Sequence, residues 1–407
     1  MKVVIINHFA GIPKVNEASL RHYNFAKYFQ NREIDCSIVT SKENYQKYDS
    51  IYDPIDPIDS IEDIKYLFVD EPIIKSKSLF SKLVRMFGFS FNLYKYLFFK
   101  QTFNQVDYVI ASSPDLFTAF VGYLFAKKNS SKFILEIRDI WPLSQVELHN
   151  FSQKHPMILI LKFIENLLHR KADIIISNLQ YYDQYLIDHR MQYNKYYYIP
   201  QVVDVEYYQN NYQKTELDKE HLKIFKTYTC VGIYAGTIGK YYGIKNMINA
   251  LRLIDKKMAL ILMGEGDFKA EAIKLKKEYN LDNLFIIDGS QKSYLFSILD
   301  RCSFGIVSFP DKNIYRYGIA SLKMFDYLYA KIPLLMMGPF SKYSILKNMS
   351  IQYKAKFLDI DGIANQFNKL YKIDNQARKD IANESHNLLN KEASISSMNN
   401  QLDKIFH

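Results

Sequence analysis

Residues 304–338 read FGIVSFPDKNIYRYGIASLKMFDYLYAKIPLLMMG, and this stretch indicates the class of fold. The apolar run 304–309 ends at Pro310, a second apolar run follows at 334–337, and about one helix's worth of residues separates them. This spacing predicts a strand, a loop, a helix and a second strand. Because parallel strands need a crossover of this kind, the stretch predicts one unit of a parallel α/β sheet.

The helix predicted within this stretch has the features of an anion-binding site. Ser321 occupies the position of an N-cap residue, and the apolar residues after it recur at helical spacing. A loop that carries Arg316 and turns at Gly318 would present a guanidinium, backbone N–H groups and the positive end of a helix dipole to a phosphate. Asp326, a turn further on, could accept hydrogen bonds from an attached ribose. A nucleoside diphosphate meets both conditions, but an ordinary surface helix with Lys323 and Asp326 as a solvated pair remains an alternative.

The composition indicates a folded protein of two domains in a reducing compartment. At 407 residues the chain exceeds one typical domain core. Its three cysteines lie far apart without metal-binding spacing, which is typical of a cytoplasmic protein. No apolar stretch approaches the roughly 20 residues of a membrane span, and Met1 leads directly into a strand-like run, so we expect neither a membrane helix nor a signal peptide. The net charge of +10 suits nucleic acid, anionic lipid or phosphorylated ligands.

The N-terminal half alternates between strand and helix patterns. It opens with a buried-strand run at 3–6, a loop that includes Gly11, a helix with Arg21 and His22 near its start, and a strand at 36–40. A strand, a loop, a helix and a strand in this order form the unit of a parallel sheet. We expect the helix to begin near Asn16, and we interpret the Pro- and Asp-rich stretch 51–63 as a loop.

The Lys-rich stretch 209–226 has the composition of an interdomain linker, and a second βα series starts at residue 229. We therefore expect an α/β protein of two Rossmann-like, doubly wound domains that face each other across a cleft. The expected domains are 1–204 and 205–385, with a C-terminal helix at 386–407 that packs back on the first domain.

Residues 75–100, KSKSLFSKLVRMFGFSFNLYKYLFFK, are rich in aromatic residues, and all their formal charges are positive. Such a segment could lie in the interface of an anionic membrane. It could equally be a pair of buried helices whose lysines extend to solvent. The sequence leaves both interpretations open.

Glycine-containing turns follow the first two strands of the second series. The first turn contains Gly236, Thr237 and Lys240, and the second reads Gly264-Glu265-Gly266. Glycines after a strand allow the backbone to approach a nucleotide, although Glu265 could equally be a solvent-facing residue and a lone GxG is a weak signal.

Four ordered runs carry a resemblance to a known family. They are VIASSPDLF followed by FILEIRDIWPLSQVEL, RKADIIIS followed by YIPQVVD, AGTIGKYYGIKNMINAL, and YRYGIASLKMFDYLYAKIPLL. Together they resemble the retaining glycosyltransferase family 4, of GT-B fold. Within that family the chain is most similar to the bacterial O-antigen and capsule enzymes that transfer N-acetylfucosamine.

The resemblance covers most of the chain, from Met1 to about residue 370, and implies a set of partners. It implies a nucleotide-sugar donor, expected to be UDP-linked, as a substrate and no cofactor. It implies a polyprenyl-diphosphate-linked saccharide as acceptor and a location in the cytoplasm, peripheral on the inner face of the plasma membrane. No nucleic acid is expected as a partner.

The family's donor site contains two acidic residues with seven residues between them. The second aligns with Asp326, which implies ribose recognition, whereas the first aligns with Gly318. The backbone groups of Gly318, Ile319, Ala320 and Ser321 are therefore expected to meet the donor.

The family's Arg and Lys that neutralise the diphosphate align with Thr237 and Tyr242 in this chain. We expect Lys240 and Arg316 to substitute for them, because a departing diphosphate gains negative charge in the transition state. The full expected donor site is Gly236, Thr237, Lys240, Gly264, Glu265, Arg316, Gly318, Ile319, Ala320, Ser321, Lys323 and Asp326.

A retaining transfer needs no strong enzymic base, because the departing phosphate oxygen can take the acceptor proton. Positioning and electrostatics are therefore expected to dominate catalysis. The expected catalytic residues are Arg138, Asp139, Lys240 and Arg316. The expected acceptor-side residues are Gly11, Arg21, His22, Asp139 and Trp141. Asp139 could alternatively cap a helix, and His22 could be an ordinary surface imidazole.

A metal site and two other functions are alternatives to this interpretation. Asp359-Ile360-Asp361 is a DxD, but it precedes a helix without a third ligand nearby, so we interpret Asp359 as a cap and expect no metal. A nucleotide-sugar epimerase of the same fold would differ in its products when no acceptor is present. A basic nucleic-acid-binding protein is less favoured, because the positive charges are spread over both halves of the chain.

Overall fold

The computed structural model describes residues 1–14, 19–46, 58–74, 79–254, 256–350 and 352–406. The chain divides into two compact units. The first comprises Met1–Gln201 and Met398–His407, and the second comprises Val202–Ser397.

Among the described residues, the first unit is organised on an eight-stranded sheet. Its strands are β1 (Lys2–Ile6), β2 (Asp35–Ser41), β3 (Ile58–Ile61), β4 (Ile64–Val69), β5 (Tyr108–Ser112), β6 (Lys132–Ile137), β7 (Ile174–Ser177) and β8 (Tyr196–Tyr198). Their order is β3-β4-β2-β1-β5-β6-β7-β8, and every neighbouring pair is parallel except β3 with β4. Residues 3–6 of β1 are fully buried at the centre of this sheet, as a run of apolar residues in a parallel sheet predicts.

The helices of the first unit connect these parallel strands. They are α1 (Arg21–Gln30), α2 (Glu43–Gln46), α3 (Leu79–Phe98), α4 (Leu116–Asn129), α5 (Leu143–His149), α6 (Pro156–Lys171) and α7 (Tyr182–Asp188). Helix α4 begins at Asp115, whose side chain accepts hydrogen bonds from the backbone N–H groups of Phe117 and Thr118. Helix α6 begins at Pro156, where a missing N–H costs no helical hydrogen bond.

The second unit contains a six-stranded sheet among the described residues, and all of its pairs are parallel. Its strands are β9 (Cys230–Ala235), β10 (Met258–Met263), β11 (Leu284–Ile287), β12 (Phe304–Ser308), β13 (Leu334–Met337) and β14 (Tyr353–Ala355), in the order β11-β10-β9-β12-β13-β14. The four central strands are buried along their whole length, so the core of the unit lies on both faces of the sheet.

The helices of the second unit lie before, between and after its strands, and the last one continues into the first unit from Met398. They are α8 (Val205–Asn211), α9 (Lys219–Thr227), α10 (Ile244–Leu251), α11 (Lys269–Glu278), α12 (Lys292–Leu299), α13 (Leu322–Tyr329), α14 (Phe340–Tyr343), α15 (Ile360–Tyr371), α16 (Asn375–Glu392) and α17 (Ile395–Phe406). Short 3₁₀ helices lie at Lys240–Tyr242, Asn313–Tyr317 and Ile345–Asn348. The quoted stretch 304–338 thus forms β12, a 3₁₀ turn, α13 and β13, as predicted. Asp359 caps α15 by accepting a hydrogen bond of 2.8 Å from the N–H of Gly362.

Three sequence-based assignments differ from the structure. The stretch 209–226, expected to be a linker, contains the end of α8 and most of α9, because Ile224 anchors α9 in the unit. In the described part of 75–100, α3 is one continuous helix and not a pair of helices. Helix α1 begins at Arg21, and Asn16 lies outside the described residues. No described helix has the length and apolar character of a bilayer span.

The C-terminal segment that packs on the first unit begins at Met398, later than the expected residue 386. Residues 386–392 continue α16 without a break, so only Met398–His407 belongs to the first unit. There the phenol of Tyr28 donates a hydrogen bond of 2.8 Å to Asp403, and the ring of Phe406 packs edge-on at 4.8 Å from that of Phe29. Leu402 is fully buried. The last helical turns of the chain therefore contribute to the core of the first unit.

Replacing Leu402 with Ala should lower the free energy of unfolding of the first unit by about 2–4 kcal/mol, because a buried leucine is replaced by a cavity. Exposed Lys404, two residues away, provides the control: K404A should change it by less than about 0.5 kcal/mol. Thermal and urea unfolding with hydrogen exchange of α1 would measure both variants. Equal stabilities of L402A and K404A would contradict this packing.

Candidate functional site

The turns after β9 and β10 interlock at the carboxyl edge of the second sheet. Ala235 pairs with Met263, and Met263 pairs with Ile287, so the three neighbouring strands end together. The N–H of Gly236 donates to the carbonyl of Met263 at 2.8 Å, and the N–H of Gly264 donates to that of Ile287 at 2.9 Å. A Cβ at Gly264 would lie 2.1 Å from the carbonyl oxygen of Gly236. Glycine is required there by this contact and by a φ of 142°.

Lys323, in the first turn of α13, extends its ammonium group to this glycine turn. A Cβ built on Gly236 would lie only 2.9 Å from Nζ of Lys323, so the side chain approaches the bare backbone of the turn. Nζ donates a hydrogen bond of 2.9 Å to the hydroxyl of Tyr234 and lies 4.1 Å from the centroid of that ring. The ring of Tyr242 is 5.2 Å from Nζ.

The surroundings of the Lys323 ammonium are neutral. The Tyr234 hydroxyl accepts from Lys323 and donates to the carbonyl of Thr237 at 2.9 Å, and burial raises the pKa of Tyr234 above its ordinary value, so it stays a phenol. No carboxylate among the described residues pairs with Lys323. Burial lowers the pKa of Lys323 to about 7. The unit therefore contains a half-buried lysine that has no counterion beside it among the described residues.

Asp326 lies one turn further along α13 in a different environment. Its carboxylate is 5% exposed, and both oxygens accept from Nζ of Lys292, at the start of α12, at 2.5 and 2.6 Å. The hydroxyl of Tyr208 lies 3.5 Å from the same carboxylate. The two expected donor residues of α13 therefore differ: the charge of Asp326 is balanced, and that of Lys323 is not.

Some of the backbone N–H groups in the loop before α13 already donate hydrogen bonds within the protein. The N–H of Gly318 donates to the carbonyl of Tyr315 at 3.1 Å, and that of Ile319 donates to Tyr343 at 2.9 Å. These two of the four expected backbone donors are therefore engaged within the protein, which leaves Ala320 and Ser321. Ser321 is the N-cap residue of α13 by position, but its hydroxyl makes no capping hydrogen bond.

Three other expected donor residues lie on the surface. Lys240 is exposed, and its backbone N–H donates to Asp267 at 3.0 Å. Arg316 is exposed and donates to the hydroxyl of its neighbour Tyr317 at 2.6 Å. Glu265 accepts from Lys269 at 2.6 Å and is itself exposed.

In the first unit, Arg138, Asp139 and Trp141 follow β6 as predicted. The hydroxyl of Ser113 accepts from the N–H of Arg138 at 2.8 Å and donates to the carbonyl of Asp139 at 3.0 Å, which fixes the turn. The guanidinium of Arg138 donates to Ser19 at 3.1 Å, and its buried Nε has no partner within the described residues. Burial raises the pKa of Asp139, against the effect of nearby N–H and hydroxyl donors.

Arg21 and His22 do not line an open space as expected, because both are fully buried. Their partner is Glu136 in β6, which accepts from Nε of Arg21 at 2.6 Å and contacts Nε2 of His22 at 2.6 Å. The hydroxyl of Ser112 also donates to Glu136. Burial opposes the charge of Glu136, but the adjacent His22 and Arg21 outweigh burial and hold its pKa well below the usual range. Gly11 is buried in the loop after β1.

A second buried network of charged side chains, centred on His8, lies at this edge and was not predicted from the sequence. His8 lies between two carboxylates, with Nδ1 at 2.8 Å from Asp115 and Nε2 at 2.5 Å from Glu71. Its ring stacks on Phe89, 4.1 Å away. Burial lowers the pKa of His8, but the hydrogen bonds to Asp115 and Glu71 outweigh this effect and raise it. Arg85 also donates to Glu71, so the network links the loop after β1 to α3.

Only some of these unforeseen residues had a signal in the sequence. Glu136 interrupts the apolar strand KFILEI, and a lone carboxylate in a buried strand indicates a buried ion pair. Lys292 had no such signal, because its contact with Asp326 spans 34 residues.

Another buried glutamate, Glu165 in α6, has no basic partner of this kind. The hydroxyl of Tyr185 donates to it at 2.6 Å, and burial raises its pKa to about 8. The first unit therefore contains two buried glutamates in different states at neutral pH: Glu136 is ionised and Glu165 is protonated.

Glu136→Gln should destabilise the first unit by about 3–5 kcal/mol at pH 7, because the buried guanidinium of Arg21 loses its counterion. Glu165→Gln should be neutral or stabilising at pH 7. Folding raises the pKa of Glu165, so its contribution to the free energy of unfolding is full below the pKa of the unfolded state and falls as the pH rises toward about 8. Glutamine removes this pH dependence. Unfolding from pH 5 to 8 would measure both. Equal losses in the two variants would contradict the assignment of charge.

The comparisons with known proteins establish the fold. No protein-family model and no curated protein sequence matches the chain. Among solved structures, sucrose-phosphate synthase from Thermosynechococcus elongatus matches with a TM-score of 0.71 at 13% identity, covering 100% of this chain and 98% of that one. Anabaena HepE in complex with UDP and glucose matches at 0.69 and 15%, covering 100% and 99%. The UDP-forming trehalose-phosphate synthase of Burkholderia xenovorans, solved with glucose-6-phosphate, matches at 0.72 and 9%, covering 99% of each chain. The chain therefore has the GT-B fold of two parallel-sheet α/β domains, the fold of these glycosyltransferases.

Proposed function

We propose that the protein is a glycosyltransferase that uses a nucleotide-sugar donor. The observation that carries the proposal is the ammonium group of Lys323, which lies without a counterion beside the bare turn at Gly236. A diphosphate supplies the missing negative charge, and a glycine at the turn leaves no side chain of its own between the backbone and a phosphate. The UDP complex of HepE, which shares the fold, supports a UDP-linked donor.

The ribose of the donor is proposed to bind at the pair formed by Asp326 and Lys292. Asp326 is held as a carboxylate by the two contacts from Lys292, and it lies one helical turn beyond Lys323. A ribose hydroxyl can donate to this carboxylate or replace one of the contacts from Lys292.

The proposed reaction is transfer with retention and without a divalent metal. The bond from the anomeric carbon to the β-phosphate oxygen breaks, and a bond from that carbon to the acceptor oxygen forms on the same face. The acceptor proton passes to the departing diphosphate. Lys323 supplies the positive charge that a departing diphosphate requires. Activity should therefore persist in EDTA.

The first unit is proposed to bind the acceptor, a polyprenyl-diphosphate-linked saccharide of O-antigen or capsule synthesis. Arg138 supports this assignment, because its buried Nε is unpaired at the carboxyl edge of β6. A guanidinium in this position is suited to a phosphate or a saccharide hydroxyl.

A membrane-facing surface on α3, α4 and α6 is proposed to bring the protein to such an acceptor. We define this apolar-basic surface by its exposed members, Phe87 and Phe91 on α3 and Leu159, Ile160 and Phe163 on α6, which are between 49% and 67% exposed. Helix α4 contacts both α3 and α6, and the ring of Phe117 on α4 packs 6.0 Å from Phe87. The two helices that carry the exposed apolar side chains therefore both pack against α4.

The charges of these helices favour an anionic bilayer as the partner. The three helices contain three, two and three Lys or Arg residues, and their single acidic residue is Glu165, which is buried with a pKa of about 8. Nζ of Lys95 lies 4.4 Å from the ring of Phe91, so a cation accompanies the exposed aromatic groups. Aromatic rings at the headgroup level and cations beside them are typical of peripheral membrane binding.

Donor binding should depend on Asp326 through the ribose. Wild-type protein should bind one of UDP-, GDP- or dTDP-glucose in a thermal-shift screen. For a UDP donor, Asp326→Asn should weaken binding about tenfold, with a smaller loss for the 2′-deoxy analogue, because the lost hydrogen bond is to the ribose. Asp300→Asn, an exposed change in the same unit, is the control.

Failure of the wild-type protein to bind any of these nucleotide sugars would contradict the proposed function. Product analysis without an acceptor tests the second enzyme hypothesis, since release of an epimerised nucleotide sugar would favour an epimerase.

Vesicle binding tests the apolar-basic surface. The protein should sediment with phosphatidylglycerol vesicles, less so with phosphatidylcholine, and progressively less as salt rises. Phe163→Ser should weaken binding about three- to tenfold, because one aromatic side chain no longer enters the interface. Ile187→Ser is the matched control, since Ile187 on α7 is 64% exposed, against 67% for Phe163. Equal effects of both changes would contradict the location of the surface.

A further inference from the structure

The charge that balances the donor's diphosphate must come from a residue that reaches the turn at Gly236. The two residues expected to supply it, Lys240 and Arg316, are both exposed, and Arg316 donates to Tyr317. Nζ of Lys323, in contrast, is within 2.9 Å of the position that a Cβ on Gly236 would take. Among the described residues, Lys323 is therefore the cation placed at this turn.

We propose that Lys323 binds the diphosphate of the donor in place of a loop Arg and Lys pair, and that it takes up a proton from solvent as the donor binds. The proposal rests on the proposed function and identifies the protonation step that accompanies it. The only bond formed is between Nζ and the proton, and the positive charge gained is balanced by the diphosphate.

The geometry around Nζ supports the binding of the diphosphate by Lys323. Tyr234 of β9 accepts its hydrogen bond, and the ring of Tyr242 in the 3₁₀ helix Lys240–Tyr242 flanks it. Both groups are uncharged phenols. The carboxylate nearest along α13, that of Asp326, is already bonded through both oxygens to Lys292. An ammonium group with only neutral neighbours is stabilised most strongly by an anion that enters from outside the protein.

Tyr242, which aligns with the family's loop Lys, packs against the protein. Its ring is edge-on to that of Phe309, with the ring centroids 5.9 Å apart. Lys323 instead reaches the turn from α13, and its Nζ lies 4.1 Å from the ring centroid of Tyr234. The cation at this turn therefore comes from the helix and not from the loop.

The environment of Nζ also implies that its protonation changes on binding. Without an anion, burial lowers the pKa of Lys323 to about 7, so most of the lysine is neutral at pH 8. A bound diphosphate favours the charged form and raises the pKa. Donor binding at pH 8 should therefore consume close to one proton, and the affinity should fall up to tenfold per pH unit above pH 7.

Calorimetry of the full chain at pH 8 with UDP-, GDP- and dTDP-glucose tests the inference, in Hepes and in Tris. The two buffers differ in ionisation enthalpy, so the difference in binding enthalpy counts protons. The wild-type protein should take up 0.5–1 proton, as roughly expected for a pKa near 7. Each probe is a diester of diphosphate with no phosphate group that titrates near pH 8, so the protons counted belong to the protein.

Two variants separate charge from protonation. Lys323→Arg should retain binding within about tenfold but take up no proton, because a guanidinium stays charged. Lys323→Met should weaken binding at least tenfold while leaving binding of the free nucleoside unchanged. Lys331→Met, an exposed change just beyond α13, controls for net charge and should match the wild type.

The outcomes distinguish this inference from the proposed function. If the wild-type protein binds none of the three probes, the proposed function fails. If it binds one but proton uptake is absent in the wild type or unchanged in K323R, the inference fails and the proposed function stands. If K323M binds equally well, the inference fails and Lys323 no longer supports the proposed function, which then rests on the measured binding of the nucleotide sugar. If K323M does not fold, the comparison of wild type with K323R decides.

Discussion

The arrangement of both units depends on the parallel pairing of their strands. In a parallel sheet the chain crosses back after each strand before the next strand begins, so the loops that follow the parallel strands lie at one edge. In the second unit Ala235, Met263 and Ile287 end together. In the first unit Ser112 pairs with Glu136 in the same way. Polar and charged side chains that are far apart in the sequence therefore meet at these edges.

Burial then decides what the charged residues at these edges can do. In the first unit Glu136 is balanced by Arg21, and His8 is balanced by Asp115 and Glu71, so these networks satisfy their own charges. Such networks fix loops in position and leave little attraction for a ligand. Arg138 differs, since its buried Nε has no partner within the described residues. Of the three residues expected on the acceptor side, Arg138 therefore remains suited to contact a ligand, whereas Arg21 and His22 are occupied by Glu136.

The sequence predicts the fold well because hydrophobic periodicity and turn residues are local. The strand, turn, helix and strand of 304–338 are confirmed, as is the cap formed by Asp359. Ion pairs between distant elements are not local. Nothing near Lys292 indicates that it holds Asp326, and nothing near Tyr234 indicates that it receives Lys323. The interpretation of Lys323 and Asp326 as a solvated pair on one face was wrong for the same reason, since each has its partner on another element.

The contrast between these two residues of α13 bears on how a donor would be recognised. Asp326 is neutralised by Lys292 within the protein, so it contributes shape and hydrogen-bond acceptors but little net charge. Lys323, one turn earlier, keeps an unbalanced charge that burial makes costly. A ligand that is anionic at one end and polar but neutral at the other relieves the cost at Lys323 and uses the acceptors at Asp326. A nucleoside diphosphate has this polarity, whereas a simple phosphate or a neutral sugar satisfies only one of the two positions.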